Sequence, residues 1–164
     1  MADRPRLRGV DFSPAPPSGE FNILKVYVKD VSFETPHSPG IFAKEWVPDA
    51  DVNLRTRVVE LDQGQYEITL SITATVKIGE RTAFLAEVQQ AGIFGIVGLT
   101  SDELESVTSA YCPAILYPYA REMVSDLVIR GGFPPFVLSP VNFEALFEHQ
   151  RAQGEDGAAE TSGG

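Results

Sequence analysis

The chain has 164 residues, 43% of them hydrophobic, the length and apolar content of one globular domain able to bury a core. A formal charge of −10 and an isoelectric point near 4.6 argue against a nucleic-acid partner, because phosphate binding needs clustered Lys and Arg. Cys112 is the only cysteine, so there is no internal disulfide framework, and with His37 and His149 it assembles no zinc ligand set; no metal and no cofactor are expected.

Residues 1–20 are rich in Pro, Arg and Gly with few large apolar side chains, the composition of a flexible N-terminal arm. The arm has arginines without the apolar stretch of a secretory signal, and no run approaches the roughly 18 apolar residues of a membrane helix, so a cytoplasmic protein without membrane insertion is expected. Order begins in FNILKVYVKDVSFE. Leu24, Val26 and Val28 alternate as in a strand, then the apolar phase shifts by one to Val31 and Phe33. Either a bulge sits near Lys29 and Asp30 or the strand's two ends bury opposite faces. The connection that follows, about residues 35–50, is punctuated by Pro36, Pro39, Gly40 and Pro48, yet carries Ile41, Phe42 and the only tryptophan, Trp46. Loops of this length in compact domains are usually functional or disordered, and the aromatics argue against disorder.

VNLRTRVVEL, with Val52, Leu54 and Val58 on one phase, leads through a Gln63–Gly64 turn into QYEITLSITATVKI. Here every even position from Tyr66 to Ile78 is apolar and every odd position from Gln65 to Lys77 is polar, the pattern of a long antiparallel strand with one wet face. In TAFLAEVQQ the apolar phase is Phe84, Ala86 and Val88. For it to share a face with the previous strand, position 76 must oppose 84 and 74 oppose 86, which requires an odd-length turn or a bulge. AGIFGIVGL is uncharged, and its glycines weaken regular structure. Thr100 and Glu103 then form a capping box that opens a helix. Pro113 is expected to break or kink that helix, a second helical stretch runs through AREMVSDLVIR, and Gly131–Gly132 stops it. FPPFVLSP is an irregular apolar linker, and VNFEALFEHQ is a short terminal helix with Phe143, Leu146 and Phe147 on one side. Residues 152–164 have the composition of a disordered acidic tail. The fold class is α+β, a four-stranded antiparallel sheet with helices packed on one face.

No constellation for catalysis emerges, and the chain is not expected to be an enzyme. Cys112 lies in the apolar context AYCPAIL, where a small buried thiol is the commoner case, and His149 sits near the end of a terminal helix. AGIFGIVGL lacks the G-x-G-x-x-G order of a phosphate loop. What the sequence does offer is apolar surface. Tyr27, Val31, Phe33, Leu85 and the Phe/Trp loop exceed what a small sheet-and-helix monomer covers by itself. A homo-oligomer interface and a groove for an apolar client both account for such a surplus.

The runs VKDVSFE, the Phe42–Trp46 loop ending in Trp-x-Pro, TAFLAEVQQAGIF, AYCPAILYPYARE, RGGFPP and PVNFEALF, in this order, resemble the SecB family of protein-export chaperones. The resemblance covers about residues 21–150 and sets a chaperone domain at 21–151. It implies an ATP-independent chaperone, a cytoplasmic homotetramer built as a dimer of dimers, that holds unfolded precursor proteins and delivers them to the SecA motor. It also implies a client groove at Phe33, Phe42, Trp46 and Phe84, with Ile93, Phe94 and Phe133 as further candidates. The motor contact falls on Asp30, Glu34, Leu85 and Glu87, and positions that affect tetramer assembly fall on Ala86, Val88 and Gln90. Zinc belongs to the motor's tail in this scheme. The alternative within the same fold is a SecB-like chaperone dedicated to a toxin–antitoxin pair.

Overall fold

The structure, a computed structural model, describes residues 19–161, with side chains described for 19–154. The expected flexible arm therefore lies outside the described residues except at its last two positions. Four strands, β1 (Glu20–Glu34), β2 (Asp49–Asp62), β3 (Gln65–Ile78) and β4 (Arg81–Val97), form one antiparallel sheet in the order β1-β4-β3-β2. β2–β3 and β3–β4 are hairpins, whereas the chain from β1 must cross the sheet to reach β2 on the far edge. That crossing is the work of residues 35–48.

The register puts the two alternations on common faces. Ile72 opposes Val88, Ala74 opposes Ala86 and Val76 opposes Phe84, and all six side chains are fully buried. The expected pairing of 76 with 84 is met by a bulge rather than an odd loop: after Ile78–Arg81 and Lys77–Thr82 the register shifts, leaving Ala83 as the extra residue. In β1 the bulge alternative holds. The register slips at Lys29, so that Val26 and Val28 before it and Val31 and Phe33 after it oppose Gly92, Gln90, Val88 and Ala86 on one face. A second slip, at Leu24, puts Phe21 and Ile23 on that same face opposite Ile96 and Phe94, and its mark in the sequence is the move of the apolar phase from odd to even positions across Ile23–Leu24.

The glycines of AGIFGIVGL, expected to weaken regular structure, do not interrupt β4. The strand runs on to Val97 because β4 is central, with β1 and β3 hydrogen-bonded along both flanks. Ladder bonds on both sides outweigh the weak propensity of Gly92 and Gly95.

One face of the sheet carries the helices. Thr100 caps α1 (Ser101–Ser106) with a reciprocal capping box: its side chain accepts from the Glu103 amide while the Glu103 carboxylate accepts from the Thr100 amide. Pro113 neither breaks nor sharply ends the helix. The preceding turn, Val107–Tyr111, widens to i→i+5 bonding, and α2 (Cys112–Arg130) continues from it. A proline cannot donate to the carbonyl four residues back, and a π turn re-routes the bonding around that gap. α2 packs on β3 and β4 through Cys112, Leu116, Ala120, Val124 and Val128, all fully buried. The side chain of Asn142 accepts from the Ala145 amide at the start of α3 (Phe143–Thr161), whose Phe143, Leu146 and Phe147 join the core beside β2. α3 passes the expected end near Gln150 and runs into the segment assigned to an acidic tail. That segment holds no proline, and its Ala, Gln and Glu residues favour a helix. Only residues 162–164 of it lie outside the described residues.

Thr100→Ala removes one arm of the capping box and is expected to cost about 1 kcal/mol. Thermal unfolding should show the midpoint lowered by about 2–4 °C for a domain of this size, and an unchanged midpoint would contradict the cap assignment.

Candidate functional site: an aromatic crossover and an acidic sheet face

The crossing segment is pinned at its centre. A 3₁₀ turn, Gly40–Ala43, follows a cis Ser38–Pro39 bond and is held by the Ile41, Phe42 and Lys44 amides donating to the carbonyls of His37, Pro39 and Ile41. Neighbouring residues of so tight a turn point apart. Ile41 goes into the core, 2% exposed, while Phe42 stays 49% exposed. Part of the loop's apolar content is therefore an anchor, and only part of it is surface.

Phe133 organises the remainder. Its ring lies 5.1 Å from Phe42, 5.8 Å from Trp46 and 5.1 Å from Phe84, centroid to centroid, and Phe33 stacks on Phe84 at 5.8 Å. Phe133 owes this position to the end of α2. The Gly132 amide donates to Ile129 and the Phe133 amide to Val128, a Schellman motif with Gly132 in the left-handed region at φ +88°. The cluster is layered. Phe84 and Phe133 are buried as a floor, Phe33 and Trp46 are half-buried, and Phe42 forms the rim.

Five of the seven groove residues named from sequence thus meet in one cluster. Ile93 and Phe94 do not join it. They lie some ten residues further along β4, about 30 Å away in an extended strand, where Phe94 is fully buried and packs on Phe21. Sequence reasoning missed Phe136, whose ring meets Phe84 edge-on at 5.9 Å, and the exposed Val47 and Val137. The signal was present in FPPFVLSP, a second irregular segment too apolar for its place.

The opposite face of the sheet is polar. Asp30 opposes Gln89, Ser32 opposes Glu87 and Glu34 opposes Leu85, so Asp30, Glu34, Leu85 and Glu87 share one surface. Ser32 donates to Glu87 at 3.3 Å, and among the described residues no basic side chain is paired with Asp30, Glu34 or Glu87. Lys29, next to Asp30 in sequence, is drawn away: its Nζ sits 2.7 Å from Glu67 Oε1, and Tyr27 donates to the other Glu67 oxygen. The Lys29 ammonium first, then Tyr27, hold the Glu67 carboxyl below the usual carboxylate range against the opposing effect of burial. Burial, followed by that hydrogen bond, pushes the Tyr27 hydroxyl up to about 12.

Ala86, Val88 and Gln90 are buried inside the protomer on the helix-bearing face, with the Gln90 amide donating to the Tyr27 carbonyl at 3.1 Å. Large exposed apolar side chains lie elsewhere than Tyr27, Val31 and Leu85, among them Ile23, Leu24 and Val28 on the β1 edge, Val52, Val58 and Leu61 on β2, and Tyr119 and Ile129 on α2. Val28, Tyr119 and Ile129 line an open cleft between β1 and α2.

Cys112 is fully buried, and burial pushes its thiol up to about 12, so it is a packing residue and no thiolate at neutral pH. Among the described residues no group of three or more His, Cys, Asp or Glu could hold a metal ion, and no helix is long and apolar enough to cross a membrane.

The fold is that of the SecB-like chaperones: a SecB-like chaperone of Mycobacterium tuberculosis, solved in complex with a ChAD peptide from the HigA1 antitoxin, superposes with a TM-score of 0.63 at 19% identity, covering 74% of this chain and 90% of that one. Residues 15–154 match the SecB family, described as preprotein translocase subunit SecB. The protein-export protein SecB of Methylococcus capsulatus (strain Bath) is 53% identical over 134 residues, which is 82% of this chain and 86% of the relative. The chain belongs to the SecB family, and it is a protein-export chaperone.

Glu67 has a depressed folded-state pKa, so its contribution to stability is present above the unfolded value of about 4.3 and is lost as pH falls through the folded value. Denaturant titrations at pH 7 and pH 3 should therefore show Glu67→Gln losing less stability on acidification than the parent protein, and equal losses would contradict the assignment.

Proposed function

We propose that this chaperone holds unfolded precursor segments in the aromatic groove of Phe33, Phe42, Trp46, Phe84 and Phe133, without nucleotide, and passes them to the SecA motor bound on the acidic sheet face. The observation that carries the groove reading is the layering of the cluster. A half-exposed Phe42 and a half-buried Trp46 rest on a buried aromatic floor, so an arriving apolar side chain finds a preformed surface instead of having to order one. Apolar burial yields about 25 cal/mol per Å², enough for a few anchoring residues of an extended segment, and a surface of rings is tolerant of which residues these are.

The motor reading rests on charge. Asp30, Glu34 and Glu87 surround Leu85 without paired cations among the described residues, and Lys29 is engaged with Glu67. Such a surface suits a basic tail with an apolar contact at its centre. We further propose that the β1 edge and the cleft beside α2 are covered in a cytoplasmic homotetramer, a dimer of dimers, because Ile23, Leu24, Val28, Tyr119 and Ile129 are otherwise left to water. A dedicated toxin–antitoxin role is the second reading, suggested by the antitoxin peptide bound to the 19% identical chaperone. The 53% identical relative is named for protein export, and general export is preferred on that ground.

Phe42→Ala combined with Trp46→Ala should weaken binding of a non-native polypeptide at least tenfold, in line with the loss of two aromatic anchors, while native mass spectrometry still records the assembly of the parent protein. Loss of the assembly would make these residues structural. Glu87→Lys should weaken SecA binding about tenfold and leave client binding intact. Undiminished SecA affinity would refute the patch.

A further inference from the structure

The two glycines that end α2 stand next to each other for different reasons. Gly132 is explained by its backbone, since φ +88° is a conformation L side chains rarely adopt. Gly131 is not. Its φ of −73° and ψ of −5° lie in the ordinary helical region, where alanine would fit the backbone and favour the helix end. What forbids a side chain there is the ring of Phe33, whose Cζ and Cε1 occupy the place a Gly131 Cβ would take, with Phe133 Cδ2 a further 3.3 Å neighbour. Phe33 thus lies flat against bare backbone, and in that position it stacks on Phe84, 24° from parallel.

We infer that Gly131 is a positioning residue of the client groove: its missing side chain seats Phe33 on the aromatic floor and so sets the depth of the groove beside Phe84. This rests on the groove reading given above and adds a determinant that touches no client. A methyl group at 131 leaves the backbone unstrained and pushes one ring off its rotamer, so the effect travels to the client only through Phe33. The Phe33 ring is half-buried and can move outward, which makes displacement of the ring, rather than unfolding, the response to alanine.

The test measures the affinity of the assembled protein for a fluorescently labelled polypeptide kept unfolded by reduction and alkylation of its cysteines, in four forms: parent, Gly131→Ala, Phe33→Ala, and both together. Failure of the parent protein to bind the probe would defeat the groove reading itself. With a binding parent, Gly131→Ala should stay folded and assembled and bind about fivefold to tenfold more weakly, the loss expected when one aromatic anchor leaves its seat. The double variant should match Phe33→Ala, because without the ring position 131 has nothing to displace. Parent-like affinity of Gly131→Ala overturns the inference. So does a double variant weaker than Phe33→Ala, and this comparison decides the matter even if Gly131→Ala alone fails to fold.

Discussion

The contact on which the crossover surface depends is the seat of Phe133 at the end of α2. Helix end, crossover and sheet meet at this one ring: the Schellman turn delivers it, Phe84 supports it from β4, and Phe42 and Trp46 close over it from the 35–48 segment. A helix that stopped one residue earlier or later would present a different side chain, about 100° round the axis. The crossover would then have no aromatic partner to rest on and would keep only Ile41 as an anchor.

The sheet separates two kinds of work by its two-residue period. Its helix-bearing face is apolar from Ile68 through Val76 and from Phe84 through Val88, and it supports the aromatic floor. Its other face shows Thr73, Thr75, Glu87, Leu85 and the β1 carboxylates of Asp30 and Glu34. Two bulges keep these faces pure: the one at Lys29 returns Val31 and Phe33 to the apolar side, and the one at Ala83 brings Phe84 opposite Val76. The Lys29 bulge has an electrostatic consequence as well, since the lysine it displaces pairs with Glu67 and leaves Asp30 uncompensated.

Strong periodicity made much of this legible in the sequence. β3 alternates without a fault, the capping box at Thr100 marks α1, and the phase shift after Val28 locates a bulge, because each of these is local chemistry. Less local features were hidden. Strand β4 continues through Gly92 and Gly95 because partners on both sides hold it, and the π turn absorbs Pro113. At the site, the resemblance grouped Phe94 with Phe84, since two aromatics on one phase of one strand look equivalent until the strand's length separates them. The reason for Gly131 could not be read at all, because Phe33, the residue that imposes it, is 98 positions away (131 − 33).

The central claim, that unfolded chains are held at the aromatic crossover, is tested most directly by the protein's single tryptophan. Trp46 emission should change saturably and shift to shorter wavelength when a tryptophan-free unfolded polypeptide is added, with a midpoint equal to that from anisotropy of the labelled client. Complete binding by anisotropy with Trp46 emission unchanged would place the client elsewhere and contradict the account.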